Sequence, residues 1–105
     1  MDRLKSAIIA MGIPYAHYAF VNAPDVLTYL VYGEDGQNVF RAGGFQAEKI
    51  TTGTIDLYTR DDTGTAMRTV ETELNKITAF AFRLTSSQFE TDSGMLHYEW
   101  AWSLQ

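Results

Sequence analysis

The most informative pattern in the sequence is a change of hydrophobic period halfway along the chain. Over residues 54–60, Ile55 and Leu57 alternate with polar or aromatic positions, which is typical of a strand with one buried face. Beyond the turn signal at residues 61–64, apolar residues recur at intervals of three and four: Met67, Val70, Leu74 and Ile77. The pattern therefore predicts a strand over about residues 50–60, with a bulge marked by Gly53, and an amphipathic helix over about residues 64–75.

The first part of the chain predicts a second helix and further extended segments. An apolar stripe at positions 4, 7, 8 and 11 predicts a helix over about residues 2–11, which Gly12 and Pro14 end. Residues 15–20 are interpreted as a short strand or an extended connector. Residues 26–32 predict a strand, because six of the seven are apolar. With so little alternation, both faces of this strand are expected to be largely covered.

Two aromatic-rich alternating runs close the chain, over residues 78–84 and 95–104. We expect them to pair as antiparallel neighbours, with Trp100 and Trp102 beneath the second helix. The polar segment 85–94 between them contains a tight-turn signal at its end. The order α-β-β-β-α-β-β predicts a single α+β domain over residues 1–105. Its expected core is an antiparallel or mixed sheet of about four to five strands with both helices on one face.

Residues 33–49 are the least ordinary segment. Four glycines stand among polar residues, yet the segment also contains Phe40 and Phe45, which a solvated loop would not need. We interpret it as a long, twisted β-hairpin or arm that is mobile in the isolated chain. Long loops in small domains are usually functional or disordered. This arm is therefore a candidate contact for another subunit.

Composition narrows the classes of function. The chain has 13 acidic and 8 basic residues, a net charge of −5, and the bases are scattered singly. A nucleic-acid groove is therefore not expected as its main function. The absence of cysteine excludes disulfides and thiol chemistry. The apolar run within residues 1–11 is too short for a signal peptide or a membrane span, so we expect a soluble protein made in a cytoplasm, with no membrane partner.

Candidate catalytic and metal-binding residues are few. Neither His17 nor His97 has a partner at zinc-ligand spacing, so we expect no metal and no cofactor, and we interpret His97 as an exposed cross-strand residue. Ser86, Ser87 and Ser93 fall in turn-like segments, where hydroxyl groups usually bond to the backbone. The sequence therefore favours a protein that is not an enzyme.

Asp56 alternates away from the apolar side of its strand. We interpret it as a solvated strand acid or the partner of a neighbouring base. The functional alternative is a contact between subunits.

Five segments follow one another along nearly the whole chain in an order that carries a family resemblance. They are Gly12-Ile-Pro-Tyr-Ala16 continuing to Phe20, residues 27–32 with the polar excursion that follows, Ile55-Asp-Leu-Tyr-Thr59, residues 70–74, and Phe89-Glu-Thr-Asp92 leading to Leu96-His-Tyr-Glu-Trp100. In this succession they resemble the tail terminator family of siphophages, small neck and tail proteins also called tail completion or tail-to-head joining proteins.

The resemblance implies a structural role: a ring, commonly a hexamer, that caps the growing tail tube, stops its polymerisation and joins tail to head. The implied partners are copies of the chain, the tail-tube protein and a head-completion or connector protein. DNA would only pass through the lumen, for which an acidic protein is suited. The implied location is the host bacterial cytoplasm during assembly and then the virion. Ring contacts would fall on exposed strand faces and on the arm: Val39, Phe40, Arg41, Phe45, Asp56, Tyr58 and Arg60.

Two alternatives stay open. One is a related virion role, as a different head–tail neck adaptor or a minor tail protein. The other belongs to a different class, a small α+β ligand-binding or regulatory domain that uses the crevice between sheet and helix. Such a domain needs convergent polar groups in an apolar pocket, and residue spacing alone reveals none.

Overall fold

Helices and strands follow one another in the predicted order. A computed structural model describes residues 2–19, 27–42 and 45–105, and for residue 2 and residues 37–42 and 45–49 it describes the backbone only. The elements are α1 (Asp2–Ala10), β1 (Tyr15–His17), β2 (Thr28–Ala42), β3 (Phe45–Thr59), α2 (Thr65–Leu74), β4 (Phe80–Glu90) and β5 (Met95–Leu104). The α+β class and the order α-β-β-β-α-β-β are confirmed.

The strands form a five-stranded mixed sheet in the order β1-β2-β3-β5-β4. The short strand β1 pairs in parallel with β2, placing Tyr15 opposite Leu30, and the remaining neighbours pair antiparallel. The predicted pairing of the two C-terminal strands is confirmed. The strand β5 lies inside the sheet between β3 and β4, and its Trp100 is fully buried. The strands β1 and β4 form the two edges of the sheet.

Local signals set the helix ends. Gly12 follows α1 with a left-handed φ of 71°, and Pro14 then prevents the helix from continuing. Gly64, with φ of 82°, precedes α2. In the turn before it, the backbone N–H and then the hydroxyl of Thr63 donate to the Asp61 carboxylate at 2.9 and 2.7 Å, which lowers the pKa of Asp61. In the part of the chain that the structure describes, no helix has the length and apolarity required to cross a membrane.

Both helices pack on one face of the sheet, as predicted. The hydrophobic core contains Leu4, Ile8, Met11, Leu30, Tyr32, Ile55, Leu57, Val70, Leu74, Trp100 and Trp102. Trp100 also donates its indole N–H to Oε2 of Glu71 on α2 at 2.9 Å. A hydrogen bond thus joins α2 to the centre of the sheet in addition to the apolar contacts.

Gly53 allows Trp102 to lie directly against the sheet. A Cβ added at Gly53 would lie 2.1 Å from the carbonyl oxygen of Gly33 and 2.4 Å from Cζ2 of Trp102. The pairing register also shifts here, because Glu34 is opposite Gly53 while residue 36 is opposite residue 52. The predicted bulge is therefore present at this place, and its extra residue, Asp35, belongs to the opposite strand β2.

Beyond the body of the sheet, β2 and β3 continue as a hairpin. β1 reaches only Tyr32 and β5 reaches only Thr51, so among the described residues the backbones of 38–42 and 45–50 pair with each other alone. These residues largely coincide with the segment 33–49 that the sequence predicts to be an arm, and we keep the name arm for them. The molecule measures 53 × 24 × 22 Å, and its radius of gyration of 15.2 Å exceeds the roughly 13 Å expected for a compact domain of this length. The predicted hairpin is confirmed, and its mobility stays a prediction.

Two strands are longer than predicted. β3 begins at Phe45, before the expected start near residue 50, because its pairing with β2 continues along the arm. β4 continues to Glu90, past the predicted end at residue 84, because residues 86–90 pair with β5. Ser86 and Ser87 therefore lie in a strand and not in a turn, and an edge strand tolerates such polar residues. Ser93 lies in the turn, as predicted.

Both faces of β2 are covered, but to different degrees. Leu30 and Tyr32 are buried under the helices, whereas Tyr29 and Val31, which alternate with them, are partly exposed. The second face of the strand is therefore aromatic and β-branched, and none of the described helices packs on it. Val26, the predicted first residue of this strand, lies outside the described residues.

Candidate interaction surface on the helix-free face

None of the described helices packs on the second face of the sheet. Ile55 and Leu57 of β3 point into the core, so Asp56 and Tyr58 of the same strand lie on the opposite face. Neighbouring strands add aromatic and acidic residues to this side. We call the group the open face; it consists of Tyr29, Asp56, Tyr58, Glu90, His97 and Glu99.

Three rings form a row across β2, β3 and β5 on the open face. Tyr58 is directly opposite Tyr29 on one side and directly opposite His97 on the other. The ring centroids of Tyr29 and Tyr58 lie 4.8 Å apart with 15° between the planes. Those of Tyr58 and His97 lie 4.2 Å apart with 19° between the planes. Cross-strand stacking of this kind fixes the side chains on the pleated surface before any partner arrives.

His97 is held between two carboxylates. Its Nε2 lies 2.7 Å from Oδ1 of Asp56, and its Nδ1 lies 3.2 Å from Oε2 of Glu90. Only the imidazolium form carries protons on both ring nitrogens and can donate to both acids at once. The His97 side chain is 17% exposed. The interpretation of His97 as an exposed residue is therefore wrong, because the Tyr58 ring and the two acids cover it.

Burial and nearby acids keep the phenol groups of the open face protonated. Partial burial, followed by the charges of Asp56 and Glu90, raises the pKa of Tyr58 to about 12. Burial and then the charge of Glu90 raise the pKa of Tyr29. Both hydroxyl groups therefore remain neutral hydrogen-bond donors near neutral pH. The open face thus combines stacked rings, phenol donors and carboxylate acceptors, a composition suited to holding a protein surface.

Of the seven predicted interface residues, two belong to the open face and one lies at its end. Asp56 and Tyr58 are central to the open face, and Asp56 is the partner of a neighbouring base, as one interpretation of the sequence stated. Arg60 donates from Nη1 to the carbonyl oxygen of Ser93 at 2.8 Å, which ties β3 to the turn between β4 and β5. The backbones of the other four lie in the arm, and their side chains lie outside the described residues: Val39, Phe40, Arg41 and Phe45.

Sequence reasoning missed Tyr29, Glu90 and the role of His97. The available signal was the matching i, i+2 spacing of Asp56 with Tyr58 and of His97 with Glu99, which places four polar or aromatic residues on one side of two strands. Glu90 carried no such signal, because its strand was predicted to end at residue 84.

A second concave region lies between α1 and the β1–β2 edge. Its cavity of about 730 Å³ is lined in part by Lys5, Ile9, His17, Tyr32, Glu34 and Trp102. His17 Nε2 lies 2.8 Å from Oε1 of Glu34, and the Tyr18 hydroxyl donates to the same oxygen at 3.0 Å. Partial burial acts to raise the pKa of Glu34, but these two hydrogen bonds outweigh it and the pKa is lowered.

One core donor beside this cavity is unsatisfied. The indole N–H of Trp102 is buried without a hydrogen-bond partner among the described residues. Among all the described residues, no group of three or more His, Cys, Asp or Glu side chains has an arrangement that could hold a metal ion.

Comparison of the chain with protein-family models gives no match, and comparison with curated proteins gives none either.

Proposed function

We propose that this chain is a structural protein of a phage or prophage tail, a tail terminator or tail completion protein. Copies of it form a ring at the head-proximal end of the tail and join tail to head. The observation that carries the proposal is the arm, whose residues 38–42 and 45–50 pair, among the described residues, only with each other. An isolated two-stranded hairpin is marginally stable in water, so a neighbouring subunit that packs on the arm would supply the contacts that it lacks.

The open face supports the same proposal. Aromatic residues are enriched in protein interfaces, and here three rings are already stacked in a row. Asp56 and Tyr58, which the resemblance assigns to ring contacts, are both on this surface. Their side chains need no rearrangement to meet a partner, so little conformational entropy is lost on association.

In this role the partners are the tail-tube protein, a head-completion or connector protein and other copies of the chain, six to a ring by the family resemblance. The net charge of −5 suits a ring through which DNA slides, because an acidic lining does not retain phosphate groups. Assembly would take place in the host bacterial cytoplasm, and the finished ring would be part of the virion.

The arm is tested by replacing Phe40 and Phe45 together with alanine. We expect the double variant to keep its circular-dichroism spectrum but to lose ring formation, and a phage that carries it to build tails of abnormal length. Ile9→Ala is the matched control, because Ile9 is an exposed apolar residue on α1. Normal assembly and normal tail length in the double variant would show that the arm assignment is wrong.

Tail length also separates the proposal from its nearest alternative, a different neck adaptor or minor tail protein. Deleting the coding sequence should give overlong tail tubes if the chain is a terminator. Tubes of normal length that fail to join heads would favour the adaptor role.

The cavity beside α1 favours a second candidate function, a small ligand-binding or regulatory domain. Polar groups of Lys5, His17 and Glu34 converge on a space of about 730 Å³ that Ile9, Trp102 and other residues line, a size typical of small-molecule sites. A thermal-shift screen tests this candidate. A monomer that a small compound stabilises would support it, and the absence of any stabilising compound together with ring formation would count against it.

A further inference from the structure

Exposed large apolar side chains are concentrated at the two edges of the sheet. Among the described residues there are six: Ile9, Tyr15, Tyr18, Leu27, Leu84 and Phe89. Leu84 and Phe89 belong to the edge strand β4, Tyr15 and Tyr18 lie in or next to the opposite edge strand β1, and Leu27 directly precedes β2. Of the six, only Ile9, on α1, lies away from both edges.

The outer side of β4 is a long, open hydrogen-bonding edge. The strand has eleven residues and pairs with β5 on one side, and none of the other described strands pairs with its second side. Natural proteins protect such an edge with proline, charged side chains or β-bulges. The sequence of β4 contains no proline or lysine, and its one register shift lies between Leu84 and Ser86, so residues 86–90 form a regular stretch of the edge. Its backbone is thus available to accept another strand.

The opposite edge is also open past the end of β1. The three residues of β1 pair with β2 only at Leu30, Val31 and Tyr32. Tyr18 covers the edge next to β1, because its hydroxyl donates to the carbonyl oxygen of Glu34 at 3.0 Å. Beyond Glu34, the outer side of β2 has no partner strand among the described residues. Both edges therefore offer unpaired backbone groups and exposed apolar side chains.

The charges at the two edges are complementary. Arg83 on β4 is exposed, and its side chain makes no hydrogen bond or ion pair with another described residue. On the opposite edge, Glu34 already has His17 as its partner at 2.8 Å, whereas Asp35 is exposed and has no basic partner among the described residues. A second copy of the chain therefore presents what each edge lacks.

We propose that β4 of one subunit adds to the β1–β2 edge of the next subunit. The inference rests on the proposed ring function and places its subunit contact. Because two different edges meet, the interface is heterologous, and such interfaces close into rings when the rotation between subunits permits. Pairing of β4 with β4 would instead be isologous and stop at a dimer.

The first test compares two exposed apolar residues of similar exposure, Phe89 at 61% and Ile9 at 55%. Phe89→Asp should weaken subunit association at least tenfold in sedimentation velocity, because it places an acid in the interface. Ile9→Asp should leave association unchanged. Equal effects of the two substitutions, or no effect of Phe89→Asp, would overturn the edge assignment.

The second test uses the absence of cysteine from the chain. Ser87 on β4 and Ala19 beyond β1 are both exposed, so single cysteines there should not disturb folding. With a short bis-maleimide, the variant carrying both Ser87→Cys and Ala19→Cys should give a ladder of covalent multimers up to the full ring. Each single variant should stay uncrosslinked, and so should the Ser87→Cys, Thr72→Cys control, whose second cysteine lies on α2.

The outcomes separate this inference from the proposed function. A covalent dimer from Ser87→Cys alone would show pairing of like edges and overturn the heterologous contact. A ring that forms without the covalent ladder would overturn the edge contact and leave the ring function standing. A wild-type chain that stays monomeric at every concentration would overturn both.

Discussion

At position 53, even a methyl group would meet backbone. The Cβ of Gly53→Ala would lie 2.1 Å from the Gly33 carbonyl oxygen and 2.4 Å from a buried carbon of Trp102. Neither neighbour can move without shifting the bulge or the core, so we expect the free energy of unfolding to fall by about 2 kcal/mol or more. Urea unfolding followed by tryptophan fluorescence measures the loss.

Gly36→Ala is the matched control for this prediction. The nearest neighbour of its Cβ would be the Thr52 hydroxyl oxygen at 3.1 Å, which can move by rotation of the side chain. We expect a loss below about 0.5 kcal/mol. Losses of similar size at positions 53 and 36 would contradict the close approach of Trp102 to the sheet.

Tyr58 should give the protein a distinctive response to alkaline pH. Burial, followed by the charges of Asp56 and Glu90, raises its pKa from 10.0 to about 12. The folded protein therefore retains a proton that the unfolded chain releases near pH 10. This contribution to stability is complete below pH 10 and is lost as the pH rises through about 12.

Ultraviolet absorbance of phenolate measures this titration, with circular dichroism as the check on folding. Tyr58→Phe should remove a component that titrates near pH 12. If the component removed titrates near pH 10, the stacked and partly buried position of Tyr58 is wrong.

Residue-level predictions from sequence succeeded where the cause was local. Alternation placed Asp56 on the side opposite the core, and a neighbouring base as its partner was one of the interpretations. The environment of His97 could not be predicted in the same way. It depends on Glu90, which comes close only because β4 is longer than its apolar alternation indicates.

Among the elements, α2 is joined to the sheet by a side-chain hydrogen bond in addition to its apolar contacts. The N–H of Trp100 donates to Oε2 of Glu71 at 2.9 Å, and Trp100 is fully buried. Glu71→Ala would leave this donor unsatisfied, so we expect a loss of about 1–2 kcal/mol in the free energy of unfolding. Chemical denaturation measures it.

Glu73→Ala, on the same helix, serves as the comparison. Glu73 forms an ion pair with Lys76 at 3.0 Å, in which the lysine is largely exposed. Removal of such a pair should cost between about 0 and 1 kcal/mol. A larger loss of stability for Glu73→Ala than for Glu71→Ala would contradict a stabilising role of the hydrogen bond between Trp100 and Glu71.

Element boundaries were predictable where a period or a stop signal was strong. Gly12 with Pro14 ended α1, and the stripe from Met67 to Ile77 located α2. The strands β3 and β4 were predicted too short. Backbone pairing with a partner strand extends both of them, β3 along the arm and β4 over its polar half, where the side chains show no apolar alternation. Such pairing leaves no hydrophobic period in the sequence.

For the whole molecule, net charge should govern how readily copies associate. At −5 per chain, subunits repel one another over the distance of the Debye length, which shortens from about 14 Å at 0.05 M salt to roughly 4 Å at 0.5 M. We therefore expect ring formation to strengthen with added salt in sedimentation experiments. Weaker association at high salt would indicate that ion pairs dominate the contact.

The shape of the molecule also favours contacts with another molecule. In the described part of the chain, a body of packed helices and sheet extends into an arm with which no other strand pairs, and the second face of the sheet carries stacked rings on which no helix packs. Sequence periodicity predicted the body. It could not predict what the arm and the open face contact, because those contacts belong to another molecule.

The central claim is that the unmodified chain associates with copies of itself. Native mass measurement of the purified protein at high concentration, with negative-stain microscopy of the same sample, tests this most directly. We expect closed rings of one stoichiometry. A compact monomer that persists at every concentration would contradict it.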